Sequence, residues 1–199
     1  MSPRPLSARA LSARDADALG AELALAAGRG DRAALGEFIA LLQPDVWRFC
    51  AHLSTTDAAD DLTQDTFIRA MDALPRFRGE ASARSWLLTI ARRVVADRVR
   101  HEMARPRSVS DGALPDRPSP CDLARRVEMR QLMGLLDLER REAFVLTQVV
   151  GLTYVEAAEV IGVPVGTIRS RVARARAHLL ELYSQASEDS LHEVRALVG

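Results

Sequence analysis

From Asp17 to about Met103 apolar positions recur at intervals of three and four, the period of helices that bury one face. The pattern is broken at Gly28–Gly30, near Ser54–Thr56 and at Pro75–Gly79, which predicts about four helices between Asp17 and Met103. Residues 1–16 are rich in Ser, Arg and Ala with little periodicity and read as a loose arm. Residues 104–120 hold four prolines, three serines and a glycine, the composition of an interdomain linker. A second helical domain is then expected over 121–184, followed by a polar tail over 185–199 in which Leu191, Val194 and Leu197 can form a weak amphipathic turn. The expected fold class is all-α, with two small helical domains joined by a flexible linker.

Within the second domain, Gly151 to Arg176 carries the densest signals. Thr153 followed three residues later by Glu156 is a capping box, so a helix starts there. Small Ala157 and Ala158 allow close approach of another helix, Gly162 can end the first helix in the left-handed conformation, and Pro164 falls at the start of the next. On that second helix Val165, Ile168, Val172, Ala175, Leu179 and Leu182 form one apolar stripe flanked by Arg169, Arg171, Arg174 and Arg176, with no acidic residue from Gly162 to Leu180. Two short helices with a glycine turn and a basic second helix are the signature of a helix-turn-helix that enters DNA. A solvated basic face is the plainer reading, but such faces ordinarily mix signs.

Charge changes the picture further. The chain has 27 basic and 27 acidic residues, yet they are zoned: residues 53–65 hold four aspartates and no base, whereas residues 84–105 hold six arginines against Asp97 and Glu102. Zoning implies one basic partner and one anionic partner. Every basic residue is arginine, and lysine and asparagine are both absent, which points to a GC-rich genome and removes the bidentate reading of adenine by Asn. The helix expected after Asp57, taken as its cap, runs to about Leu74. It places Ala59, Leu62, Thr66, Ala70 and Leu74 inward and Asp61, Gln64, Asp65, Ile68 and Asp72 outward. An acidic face with an isoleucine at its middle suits docking, against the alternatives of a plain solvated face or a carboxylate site for metal or acid–base chemistry. No histidine, nucleophile or phosphate loop accompanies the carboxylates, so no catalytic residue, metal or cofactor is expected.

After a loop with Phe77, Arg78, Gly79 and Glu80, the next helix is expected from about Ser85. Trp86, Leu87, Ile90, Ala91, Val94 and Arg98 lie inward, and Thr89, Arg92, Arg93, Ala96 and Arg100 outward. A basic helix beside an aromatic loop fits single-stranded nucleic acid, with arginines on phosphates and a pocket for an unstacked base; Phe77 and Trp86 can equally be core, the preferred reading for Trp86. Cys50 and Cys121 lie far apart with no CxxC or Cys/His cluster, so neither zinc nor a disulfide framework is indicated, and a buried thiol is expected at Cys50. No apolar run approaches the length of a membrane span and no signal-peptide core is seen, so a cytoplasmic protein is expected.

Three ordered segments, DDLTQDTFIRA at 60–70, PRFRGEASARSWLLTIARR at 75–93 and GLTYVEAAEVIGVPVGTIRSRVARAR at 151–176, resemble bacterial RNA polymerase sigma factors of the extracytoplasmic-function class. The resemblance spans about residues 34–182. It implies a non-enzyme that binds core RNA polymerase through the face of Asp61, Gln64, Asp65, Ile68 and Arg69. It implies melting and capture of the minus-ten element by Phe77, Arg78, Arg84, Trp86, Arg92, Arg93 and Arg100. Duplex minus-thirty-five DNA would be met by Thr167, Arg169, Ser170, Arg171, Ala173, Arg174 and Arg176, and an anti-sigma factor is a possible further partner. Arg93 stands where many relatives carry asparagine, and Ala173 is small at a position often held by a larger reader, which bears on the bases preferred. A free-standing dimeric helix-turn-helix regulator would leave the acidic helix and the aromatic-basic segment without a task.

Overall fold

The computed structural model describes residues 13–103 and 131–198, and these are helical with no strand. The expected linker, Cys121 and most of the expected arm lie outside the described residues. In the first unit α1 spans Ala13–Gly28, α2 Arg32–Leu53, α3 Thr56–Ala73 and α4 Ala83–Met103, with a single 3-10 turn at Leu74–Arg76. In the second, α5 spans Leu138–Phe144 and continues into a wide π turn at Val145–Val149; α6 spans Tyr154–Ile161 and α7 Val165–Val198.

Several boundaries follow from local chemistry. Asp31 caps α2 by accepting hydrogen bonds from the amides of Ala33 and Ala34 at 2.9 and 3.1 Å, satisfying donors the first turn leaves over. Among the described residues α1 already includes Ala13–Ala16, so it takes in the last residues of the expected arm ahead of Asp17. Thr55, not Asp57, occupies the position before α3, without a side-chain cap bond, and Asp57 lies inside the first turn where its charge favours the helix dipole. At the other end of the chain, the expected polar tail does not break away: α7 continues unbroken to Val198.

Burial explains how the units hold. In the first unit Phe38, Phe49, Leu87 and Leu88 are fully enclosed, and Phe38 meets Phe67 edge-on at 6.5 Å. Ala59, Leu62, Thr66, Ala70 and Leu74 are all buried, as the helical period of α3 requires. Leu88 and Val95 extend the inner stripe of α4 beyond the positions expected, while Arg98, expected inward, is exposed; it sits at the edge of the stripe and a long charged side chain reaches water from there. In the second unit Val145, Leu146, Ile168 and Val172 form the centre. Helices α4 and α6 pack on one another, and α2 touches the π turn, so the two units are in contact.

One close approach shapes the first unit. A Cβ at Gly28 would lie 2.6 Å from the Leu74 carbonyl oxygen, so the end of α1 lies directly on the 3-10 turn that precedes Phe77.

Candidate nucleic-acid interface and docking face

The outward side of α3 is as the sequence pattern predicts. Asp61, Gln64, Asp65, Ile68 and Asp72 are exposed, with Ile68 at 47%, and Arg69, named by the resemblance, is exposed beside them. Beside them runs a groove of about 470 Å³ between α2 and α3, walled by Ile39, Gln43 and Trp47 on one side and Gln64, Ile68 and Met71 on the other. The Trp47 Nε1–H donates to Asp60 Oδ1 at 2.7 Å and pins the groove floor. The α2 wall and Met71 were missed by sequence reasoning, although Ile39, Gln43 and Trp47 recur every four residues. Arg69 reaches across to Asp97 on α4 at 2.7 Å, and Arg100 bonds the same carboxylate. These two hydrogen bonds hold the Asp97 carboxyl below the usual range.

The aromatic loop is ordered by packing from beneath. Phe77 is buried and its ring centre stands 5.1 Å from that of Trp86, with the planes tilted by 53°. Around the pair, Arg76, Arg78, Glu80 and Ala81 close a hollow of about 220 Å³. Trp86 is half-buried, so it is part of the packing and of the hollow's wall at once. Ser82 starts α4, its Oγ accepting from the Ser85 amide at 3.1 Å.

The arginines of this segment divide into two groups. Arg78 and Arg93 are exposed. Arg84 instead donates from Nε to Asp45 Oδ2 at 2.6 Å and from its terminal nitrogen to the Val150 carbonyl of the second unit. Arg92 donates from Nε to both carboxylate oxygens of Glu142 at 3.0 and 3.1 Å. Glu142 is buried on α5, and burial pushes its carboxyl upward against the downward pull of Arg92. Arg100 is held by Asp97.

In the second unit the expected turn is in place. Thr153 Oγ1 accepts from the Glu156 amide at 3.2 Å while Glu156 Oε2 accepts from the Thr153 amide at 2.7 Å, and Gly162 has φ of 79°. The apolar stripe of α7 is buried at Ile168, Val172, Ala175 and Leu179, which turns Arg169, Ser170, Ala173 and Arg174 outward. Thr167 is half-buried and its carbonyl accepts from Ser170 Oγ at 2.9 Å. Arg171 is only 15% exposed and is paired with Glu139 at the start of α5, and Arg176 donates to Gln148 Oε1 at 2.6 Å. These two arginines tie α7 to α5 and to the π turn. Among the described residues no cluster of metal-ligating side chains occurs, and no helix is long and apolar enough to cross a membrane.

A buried-stripe recognition helix behind a capped helix and a left-handed glycine defines a helix-turn-helix DNA-binding protein, here joined to a second helical unit with an acidic face. The sigma-70 region 2 family matches residues 38–105 and the sigma-70 region 4 family residues 126–179. The probable RNA polymerase sigma-C factor of Mycobacterium bovis is 53% identical over 163 residues, covering 79% of this chain and 88% of the relative. The RNA polymerase sigma factor CnrH of Cupriavidus metallidurans is 32% identical, covering 89% of this chain and 100% of its own. Among solved structures, CnrH in complex with the cytosolic domain of CnrY superposes with a TM-score of 0.68 at 30% identity, covering 84% of this chain and 98% of that one. The sigma factor RpoE of Bartonella quintana, in complex with the anti-sigma factor NepR, gives 0.63 at 29% identity, covering 75% and 96%. The chain belongs to the extracytoplasmic-function RNA polymerase sigma factors, alternative sigma factors that direct transcription, and carries sigma-70 regions 2 and 4.

Proposed function

We propose that this sigma factor divides its work among three surfaces in the cytoplasm: α3 docks core RNA polymerase, the Phe77 loop with α4 melts and captures the minus-ten element, and α7 reads the minus-thirty-five element. The observation that carries the reading is the segregation of charge onto separate exposed faces. Asp61 and Asp65 share the exposed face of α3 with Ile68, whereas Arg169 and Arg174 are turned outward on α7 by a buried stripe.

Polymerase supplies the bond-forming chemistry and this chain supplies location. On α7, Arg169 and Arg174 are suited to hydrogen-bond base edges in the major groove, Ser170 to a further polar contact, and Ala173 to the methyl of thymine. Arg171 and Arg176 are braces whose loss would tilt the helix. In the first unit the hollow beside the packed Phe77 and Trp86 rings is suited to an unstacked base, with Arg78 and Arg93 on the adjoining phosphates. Unstacking costs a few kcal/mol per flipped base, so capture needs polymerase to position both units. Relatives solved with CnrY and NepR support an anti-sigma partner for this chain as well.

Run-off transcription with purified core polymerase on genomic fragments tests the whole. Discrete start sites that depend on this chain are expected. Replacing Asp61 and Asp65 together by arginine should abolish co-purification with polymerase while helix content is unchanged; retained co-purification would place docking elsewhere.

A further inference from the structure

Several exposed arginines of the first unit are answered by a carboxylate: Arg48 by Asp45, and Arg69 and Arg100 by Asp97. Among the described residues Arg78, Arg93, Arg169 and Arg174, assigned above to DNA, are exposed with no ion pair or side-chain hydrogen bond. Arg29, Arg32 and Arg76 are in the same condition. We infer that these three form a cationic ledge on which the phosphates of the melted non-template strand rest after that strand leaves the hollow beside Phe77 and Trp86. The inference rests on the minus-ten reading of the hollow and extends it downstream.

Backbone contacts bring the three arginines together from separate elements. The end of α1 lies along the segment that carries Arg76: a Cβ added at Gly79 would stand 3.8 Å from Leu25 Cδ1, and one added at Gly28 would stand 3.6 Å from the Pro75 Cα. Arg29 and Arg76 are the residues that follow Gly28 and Pro75, and Arg32 opens α2 one short turn further on. In that turn the Arg29 and Gly30 amides donate back to the Ala26 and Ala27 carbonyls at 3.1 and 2.9 Å, which fixes where α2 begins. Arg76 also lines the hollow beside Arg78, so the ledge is continuous with the hollow's rim.

Nearby acidic groups do not cancel this charge. Asp31, between Arg29 and Arg32, commits its carboxylate to the Ala33 and Ala34 amides at the start of α2. Glu80 lines the hollow against both Arg76 and Arg78, and Asp72 belongs to the exposed face of α3. No ion pair has to be broken before the three guanidiniums meet phosphate, and each such contact releases counterions from the strand. Chain order gives the direction. Helix α4 leads from the hollow to Met103, and residues 104–120 then join it to the unit assigned to the minus-thirty-five element, so α4 serves the upstream side of the hollow and the ledge the downstream side.

The test uses holoenzyme, core polymerase with the full chain, and fluorescent non-template oligonucleotides from a promoter defined by run-off transcription. A short strand ends at the downstream edge of the minus-ten element, and a long strand continues for about six further nucleotides. Wild type should bind the long strand several-fold more tightly than the short one. Arg29→Ala with Arg32→Ala should lose most of that gain and bind the short strand as wild type does. On the long strand alone, its slope of log affinity against log salt should be shallower by about 1.4, at ~0.7 per lost phosphate contact. Arg29→Lys with Arg32→Lys should keep the wild-type slope, because the charge is retained. p-Hydroxyphenylglyoxal should modify Arg29 and Arg32 more slowly in holoenzyme bound to the long strand than to the short one. No gain from the long strand in wild type, a gain or slope unchanged in the alanine pair, or no protection of the two arginines would each overturn the inference. Equal weakening on both strands would assign the pair to the shape of the hollow and overturn it too. Failure of wild-type holoenzyme to bind even the short strand would sink the minus-ten reading and the ledge with it, whereas the other adverse outcomes leave that reading standing.

Discussion

Ile168→Ala offers the sharpest test of how the recognition helix is aimed. The side chain is fully buried beneath α7, next in sequence to half-buried Thr167 and exposed Arg169 and turned about 120° from exposed Arg174. The substitution removes three carbons, about 2.4 kcal/mol of transfer free energy at ~0.8 kcal/mol each. The unfilled space adds a further penalty, giving about 3 to 4 kcal/mol in total. A helical unit of this size is stable by only about 3–8 kcal/mol, so the helix-turn-helix would be left marginal. The two tryptophans, Trp47 and Trp86, both lie in the first unit, so tryptophan emission follows that unit while circular dichroism follows both. A melt followed by circular dichroism should show part of its amplitude moving down by at least ~12 °C, at about 4 °C or more per kcal/mol for a small domain. The variant should still co-purify with polymerase through α3 yet fail to initiate at cognate promoters. A dichroism transition displaced by less than about 4 °C, or undiminished initiation, would refute the reasoning that this buried stripe aims the arginines.

Arg174→Ala should relax preference at one position of the upstream element by about 1 to 3 kcal/mol if its contact is bidentate, whereas Arg171→Ala, by removing the brace to Glu139, should weaken binding at all positions alike; promoter libraries read out both patterns. Burial pushes the Cys50 thiol up to about 12 despite hydrogen bonds from Thr63 and Thr66 that pull it down. In a Cys121→Ser chain at pH 8 the Cys50 thiolate is therefore scarce, and Ellman's reagent should leave Cys50 unmodified in the folded chain and label it in denaturant; rapid labelling of that folded variant would contradict its burial. Thr153→Ala removes the reciprocal cap of α6 and should cost about 1 kcal/mol in denaturant unfolding of the second unit.

What was legible in the sequence was whatever depends on period and on neighbours a few residues apart. The inner face of α3, the cap at Thr153, the left-handed Gly162 and the stripe beneath Arg169 and Arg174 all belong to that kind, because helical geometry converts spacing into direction. What was not legible is which outward charges are already taken. Arg84 and the Val150 carbonyl are 66 residues apart, Arg92 and Glu142 50, and Arg171 and Glu139 32. Nothing in a helical pattern links such partners. The π turn at Val145–Val149 was equally silent, since its residues read as an ordinary buried apolar run. Asp57 misled for a related reason: a good capping residue two positions inside the helix looks the same on paper as one at its start.

The seat of Gly28 against the Leu74 carbonyl has a consequence for heredity as much as for chemistry. Alanine there would force the end of α1 and the strut below Phe77 apart by the width of a methyl group, and the hollow beside Trp86 would change shape with no residue of its own altered. A segment outside both matched sigma-70 regions therefore sets the dimensions of a chamber inside one of them.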